Sequence, residues 1–406
     1  MTTDARDDTR RRLAGLYLPT MAVAFGQGLV LTAVPALAAR FHVSPGLAAQ
    51  VVSAYAAGRL MALLPSGVLA DRLPPGLVLL IASLCFVAGA AGMVLAPVFW
   101  ALLAGQWLIG VGGSLWLTGR EISGLTLVRP DQRGRLMSGF FGFQLAGAGI
   151  GPVVGGILAD RGGIAAVLWA NLIVAVAVAL ETTLARGAFA PHGSPPPRAP
   201  EQRGRGTILP ENRRMFLILV YATFAMHVGR YSLNSLLPLY GGITLGLSGT
   251  QVGALFGISS VFIPLMIVPA GFVLDRVGRK WAAVPAALIP AAVFLLFPAA
   301  RTVAQLSALM AVMGIATGLS LGSLSTFSYD VIPERARGRL QALRRIFGEL
   351  GTLGGPLAGG VIADRSRPAA AFIVYVPLLA LAAILLAFGT RETLARPGPA
   401  VAEARR

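Results

Sequence analysis

Arg59 lies in the middle of a long apolar run, far from any interface that its guanidinium could reach. Arg120 and Glu121 lie in a second such run, His227 and Arg230 in a third, and Arg344, Arg345 and Glu349 in a fourth. An embedded charge costs about 2.5–3.5 kcal/mol on insertion scales, so each of these residues either serves a function or is neutralised by a neighbour. A carboxylate that alternates between its ionised and protonated forms can couple a proton to the movement of a solute. Glu121 and Glu349 are the carboxylates available for this, and histidine is the side chain that titrates nearest neutral pH, which adds His227. Glu349 stands four residues after Arg345, within reach along one helix face, and Glu121 follows Arg120 directly. Each carboxylate is therefore either half of a fixed ion pair or a protonation site, and His227 is either a proton carrier or a packing residue with a hydrogen bond. The chain shows no P-loop lysine motif, no nucleophile elbow and no His/Cys metal spacing, so neither an enzyme nor a cofactor or metal site is expected. The single Cys85 excludes a disulfide framework.

The composition defines the frame that positions these residues. Mean hydropathy is +0.73, and 13% of residues are charged, against about 25% in a soluble domain. Uncharged runs at 13–39, 73–119, 136–159, 231–274, 281–300, 302–329 and 368–390 reach or exceed the ~20 residues of a membrane-spanning helix. Turn signals at Ala96-Pro97 and Gly246–Gly249 divide the longest runs in two. The reading gives twelve spans, near 13–36, 46–70, 76–95, 98–128, 136–159, 163–185, 214–240, 250–274, 280–299, 302–330, 339–363 and 368–390. Backbone groups in lipid must be satisfied within their own segment, and the alternation of barrel strands is absent, so the spans are helices. The expected fold is an all-α membrane protein of twelve transmembrane helices in two pseudo-symmetric six-helix bundles. The bundles occupy 13–185 and 213–390, with a tail at 1–12, a proline-rich linker at 186–212 and a tail at 391–406.

Charge sets the orientation. With the N-terminus inside, the outer loops hold only Arg40, Arg161, Arg301, Arg365 and Arg367 of the 34 Lys and Arg residues. That bias places both termini in the cytoplasm and basic residues beside anionic lipid headgroups. It accounts for the net charge of +17 without nucleic acid as a partner. Arg10-Arg11-Arg12 before an apolar run resembles a signal peptide, but the run outlasts an h-region, so an uncleaved first span is expected. Richness in Ala, Gly, Pro and Arg fits a bacterial chain, expected in the inner membrane as a multi-pass monomer.

The two halves repeat each other. Gly67-x-x-x-Asp71-Arg72 returns as Gly271-x-x-x-Asp275-Arg276, and Arg133-Gly134-Arg135 as Arg337-Gly338-Arg339. Gly151-Pro152-x-x-Gly155-Gly156 returns as Gly355-Pro356-x-x-Gly359-Gly360, and Asp160-Arg161 as Asp364-Arg365, all at one constant offset. Duplicated halves in an apolar chain place a binding site between them. Six spans, a linker and six more, with Gly-x-x-x-Asp-Arg after span 2, resemble the major facilitator superfamily over residues 13–390. The second copy of its signature is whole, running on through Gly278, Arg279 and Lys280. The first reads Leu73-Pro74-Pro75-Gly76 where the family carries a basic cluster. The resemblance implies a gating latch, in which Asp71 or Asp275 faces a helix N-terminus or an arginine of the other half; a plain tight turn carrying topogenic charge is the alternative.

Gly147-x-x-x-Gly151-Pro152-x-x-Gly155-Gly156 in span 5 is similar to the signature of proton-coupled drug antiporters, and span 11 repeats it from Gly351 to Gly360. Small residues at four-residue spacing let helices pack closely, and the proline favours a bend. Gln106 stands where such exporters carry an arginine ahead of Gly110-x-Gly112. The resemblance also implies a central cavity, for which Gln27, Arg59, Trp107, Trp116, Arg120, Tyr221, Arg230, Tyr231 and Asn234 are candidates. Span 1 holds no carboxylate and the embedded charges are mostly arginine, which predicts an amphipathic substrate that is neutral, zwitterionic or anionic. The expectation is a secondary active transporter in which protons drive efflux of a small organic molecule by alternating access. An importer or facilitator of a sugar, organic acid or peptide-like metabolite stays open, as does a non-transporting sensor that kept the fold.

Overall fold

The computed structural model describes residues 3–127, 133–184, 210–333 and 336–394. The linker expected at 186–212 lies outside the described residues up to 209, as does the C-terminal tail from 395. Every regular element among the described residues is a helix. Span 1 is α1 (Thr3–Leu31) and α2 (Val34–Phe41), which meet at 56°. The break precedes Pro35, whose ring supplies no N–H and restricts the residue before it. α1 begins at Thr3, inside the segment expected as a tail. Span 2 is α3 (Pro45–Ala48) and α4 (Gln50–Arg72), spans 3 and 4 are α5 (Pro75–Val94) and α6 (Phe99–Leu127).

Spans 5 and 6 run together as α7 (Arg133–Leu184). They join at Gly163, whose φ of 65° and ψ of −169° interrupt the helix and suit only glycine. Span 7 is α8 (Pro210–Pro238) with a π turn, and span 8 is α9 (Gly249–Leu265) with α10 (Ile267–Phe272), bent by 42° just after Pro264. α11 (Arg279–Leu296), α12 (Val303–Ser320) with α13 (Ser323–Val331), α14 (Arg337–Arg365) and α15 (Pro368–Gly389) complete spans 9 to 12. Ser248 with Gln251 and Thr302 with Gln305 form capping boxes that start α9 and α12. Among the described residues nine helices are long and apolar enough to cross a membrane, or eleven if each bent pair is one span. With α7 holding two spans, this is consistent with twelve. Outward-facing Trp100, Ile173 and Phe388 are exposed, as side chains facing lipid tails are.

The repeated glycines explain how each half is assembled. On α7, Gly147, Gly151 and Gly155 sit against the Met21, Phe25 and Leu29 carbonyls of α1. On α14, Gly351 and Gly355 sit against the Phe224 and Val228 carbonyls of α8, with Gly359 beside Leu236. A side chain at any of the glycines that meet a carbonyl would push the helices apart, so the motif forms the packing seam between spans 1 and 5, and again between 7 and 11. Pro152 and Pro356 lie within helices that continue through them.

Candidate functional site: a cavity between the halves, closed at one end

A cavity of about 250 Å³ lies between the two halves. Gln27, Arg59, Trp116, Arg120, Arg230, Tyr231 and Asn234 line it. Trp107 and Tyr221 do not; Trp107 Nε1 instead reaches Met61 Sδ at 3.4 Å, and the Tyr221 hydroxyl donates to the Leu378 carbonyl. Both point away from the axis between the halves because their helix faces are turned toward neighbours in their own half. The sequence reading did not include Tyr55 and Gln144, which also line the cavity. Tyr55 lies one turn before Arg59 on α4, and that spacing was a usable signal.

The arginine in mid-membrane has its partner in the other half. Arg59 Nη2 on α4 donates to Glu349 Oε1 on α14 at 2.7 Å. The Arg59 guanidinium carbon also lies 6.0 Å from the Tyr55 ring centre. Glu349 is 8% exposed, and its Oε2 has no hydrogen-bond partner. Arg345, the partner expected from i,i+4 spacing, is exposed instead. The cross-half pair is the shorter path for a buried charge, since a partner already fixed on a facing helix costs Glu349 no excursion toward the interface. Arg120 Nη2 donates to Gln144 Oε1 at 2.9 Å and lies over the Phe140 ring at 5.1 Å. Glu121 does not line the cavity. His227 does not either: its Nδ1 is 2.7 Å from the Thr223 carbonyl, which takes the proton on that nitrogen, and its ring stacks on Tyr231 at 6.2 Å. Arg344 binds Thr223, Ser325 and Gln341, all within the second half.

One end of the cavity is closed by two matching contacts that sequence reading left without a role. At the C-terminal end of span 5, Asp160 Oδ1 and Oδ2 accept from the Gly249 and Thr250 amides at 2.7 and 2.8 Å, which begin span 8 in the other half. At the end of span 11, Asp364 accepts from the Gly46 amide at 2.7 Å and from the Ser44 hydroxyl, at the start of span 2. Each carboxylate thus caps the free amides of a helix N-terminus across the interface. Gly156 meets the Gly249 carbonyl and Gly360 meets the Gly46 carbonyl beside them, so closely that a Cβ at either would collide with backbone. At the opposite end, Met61, Leu64 and Val68 of span 2 and Leu265, Val268 and Phe272 of span 8 are exposed. The cavity is shut at the Asp160 end and spread at the Asp71 end.

The second copy of the motif expected as a latch makes its bonds within its own half. Asp275 Oδ1 accepts from Arg279 Nη1 at 3.0 Å, and Arg279 Nε donates to Asp330 Oδ2 at 3.3 Å, at the end of span 10. Glu392, beyond span 12, accepts from the Arg279 and Lys280 amides at 2.8 and 3.1 Å and caps α11. Gly278, at φ 145°, leaves room for that carboxylate where a Cβ would not. Partial burial pushes the Glu392 carboxyl up, but the amides of Leu394, Arg279, Lys280 and Thr393 outweigh it and hold it below its ordinary value. Arg276 stacks on Phe272 at 5.3 Å, and Lys280 donates to the Thr390 carbonyl. In the first half, Asp71 and Arg72 are exposed at the end of α4.

Two half-related helical bundles around a cavity that is open at one end define a membrane transport protein, and the comparisons agree. The model of the Major Facilitator Superfamily matches residues 16–263 and 219–406, and the chain belongs to that family. It is 26% identical over 314 residues, 76% of each chain, to a multi-drug resistance efflux pump PmrA homolog of Lactococcus lactis. A vacuolar membrane amino acid uptake transporter, fnx2 of Schizosaccharomyces pombe, is 31% identical over 150 residues, which are 34% of this chain and 26% of that one. Among solved structures, an inward-facing, occupied bacterial homolog of the human lysosomal transporter Spinster shares the fold at TM-score 0.77 and 15% identity, covering 98% of this chain and 100% of that one. A D-xylose–proton symporter does so at TM-score 0.72 and 18% identity, covering 94% and 98%.

Proposed function

We propose that this protein is a proton-coupled exporter of a small amphipathic organic molecule, with Glu349 as the residue that carries the proton. The observation that carries this reading is the Arg59–Glu349 pair, a carboxylate at cavity depth bound across the two halves with one oxygen left open. The pair lies between α4 and α14, the elements whose relative position must change when the halves rock. Ionised Glu349 ties Arg59 to the second half; protonated Glu349 releases it. Solute binds from the open end while Glu349 is ionised, and a proton arriving from the far side frees Arg59 and lets the emptied carrier return. None of Glu121, His227 and Glu349 lines the cavity itself, and Glu349 is the one ion-paired to a lining side chain, Arg59.

Bundles at 13–185 and 213–390, with the Asp71 end and both termini in the cytoplasm, complete the reading. The arginine bias supports that orientation, and the distant efflux relative supports the direction. In cells lacking their main efflux pumps, wild type lowers the accumulation of at least one compound in a panel of amphiphiles, and a protonophore removes the effect. Glu349→Gln abolishes it, whereas Glu121→Gln leaves it. Raised accumulation would reverse the direction, and protonophore-sensitive export by Glu349→Gln would remove Glu349 from the coupling step.

A further inference from the structure

The cavity wall carries three arginines, Arg59, Arg120 and Arg230, and, among its lining residues, no carboxylate. Glu349 neutralises Arg59. Arg120 is 3% exposed, has only the neutral Gln144 as a hydrogen-bond partner, and keeps its Nε without one. Arg230 on span 7 is exposed to the cavity and forms no ion pair among the described residues. The Trp116 Nε1 on the same wall is a buried donor without an acceptor. Two buried N–H donors and one open guanidinium favour acceptor oxygens and a negative charge. Gln106 Oε1 adds one unfilled acceptor to the wall. The rest of the wall includes Phe256, Ile263, Met310 and Met313, which suit a flat apolar body.

We infer that the substrate is a small aromatic or amphipathic organic anion whose carboxylate, or an equivalent oxyanion, is held by Arg230, while Glu349 keeps Arg59. This rests on the transport reading above but not on its proton step. It gives the embedded arginines a purpose in the cycle. An incoming anion balances Arg230 beside Arg120, while ionised Glu349 keeps Arg59. The membrane potential, negative inside, then favours outward movement of the charged solute.

Binding of radiolabelled 1-naphthoate to the purified full-length protein in detergent tests this, with unlabelled 1-naphthoate, 1-naphthamide and 1-naphthylmethylammonium as competitors. The three share a ring system and differ in charge. Wild type binds naphthoate saturably, and the amide and the ammonium compete at least tenfold more weakly. Arg230→Gln loses at least tenfold in affinity, and Arg230→Lys, which keeps the charge and guards against a folding artefact, retains most of it. Equal competition by amide and carboxylate, stronger competition by the ammonium, an unchanged Arg230→Gln, or no saturable binding each overturns the inference. Anion binding without protonophore-sensitive export would sink the proton reading and leave this one standing; protonophore-sensitive export of the amide would do the reverse.

Discussion

Removing the two carboxylates that close the cavity should shift the resting state of the whole protein. Asp160 holds the Gly249 and Thr250 amides and Asp364 the Gly46 amide and the Ser44 hydroxyl, each at a helix N-terminus in the opposite half, two acceptor contacts apiece. Charge at a helix N-terminus contributes 0.3–1 kcal/mol at exposed sites, and a hydrogen bond to a charged group about 1.5–3 kcal/mol when water is excluded. Both carboxylates are exposed, and water can take up the freed amides, so the lower end applies: about 1 kcal/mol for each contact pair, and about 2 kcal/mol for both. On that scale Asp364→Ala shifts the equilibrium between the two access states about fivefold, and Asp160→Ala with Asp364→Ala about thirtyfold. Carriers of this kind hold their states within a few kcal/mol of each other, so the double variant should be mostly open at the Asp160 end. Spin labels on Val98→Cys and Arg301→Cys, at that end of opposite halves, with Cys85 replaced by alanine, would report it by pulsed dipolar spectroscopy. The distance distribution should move to longer values in the double variant and by less in each single one. Superimposable distributions in all four proteins would refute the reasoning, since they would show that the capping contacts carry no part of the closure.

Three further outcomes follow from the same geometry. Arg59→Met alone leaves Glu349 buried without a counter-charge and should lower stability by about 3 kcal/mol, while Arg59→Met with Glu349→Leu recovers most of it; melting temperatures of the purified proteins in detergent decide this, and equal losses in the single and double variants would count against it. Gly156→Leu must displace the Gly249 carbonyl, so it should open the Asp160 end in the same spin-label assay even with both aspartates intact. Glu392 sits below its ordinary value in the folded state, so its contribution is fully present above the unfolded value of about 4.3 and is lost as pH falls through the depressed folded value. The melting-temperature gap between wild type and Glu392→Gln should therefore hold steady from pH 7 to about pH 5 and close below about pH 4; a gap that widens on acidification would contradict the capping role.

Much of this arrangement was legible in the chain because membrane proteins write their frame in composition. Apolar run lengths located the helices, and the constant offset of the repeated motifs announced two halves. Arg59, Arg230 and Asn234 could be picked out as cavity residues because a polar side chain in the middle of a span has few other places to go. Partner choice was not legible. Spacing offered Arg345 to Glu349, and only the crossing of α4 over α14 shows Arg59 there instead. Asp160 and Asp364 were visible as a repeat, but whether such a residue turns a chain or caps a foreign helix depends on what the other half brings against it. The kink within α1–α2 and the glycine joint at Gly163 belong to the same class of feature, set by local backbone geometry that the hydropathy pattern does not record.

The register that pairs Asp71 with Asp275 and Asp160 with Asp364 also pairs Arg59 with Ile263 and Glu349 with Leu145. Both of those apolar mates line the cavity. A rotation that exchanges the halves therefore lays the gate contacts onto each other, yet it lays an ion pair onto a leucine and an isoleucine. The closing interface behaves like that of a homodimer, in which each surface supplies both the anion and the helix end, while the cargo chamber has one charged flank and one oily flank. A solute held there cannot lie equally well in two orientations. Duplication supplied the motion, and divergence between mates such as Arg59 and Ile263 gave the chamber a direction.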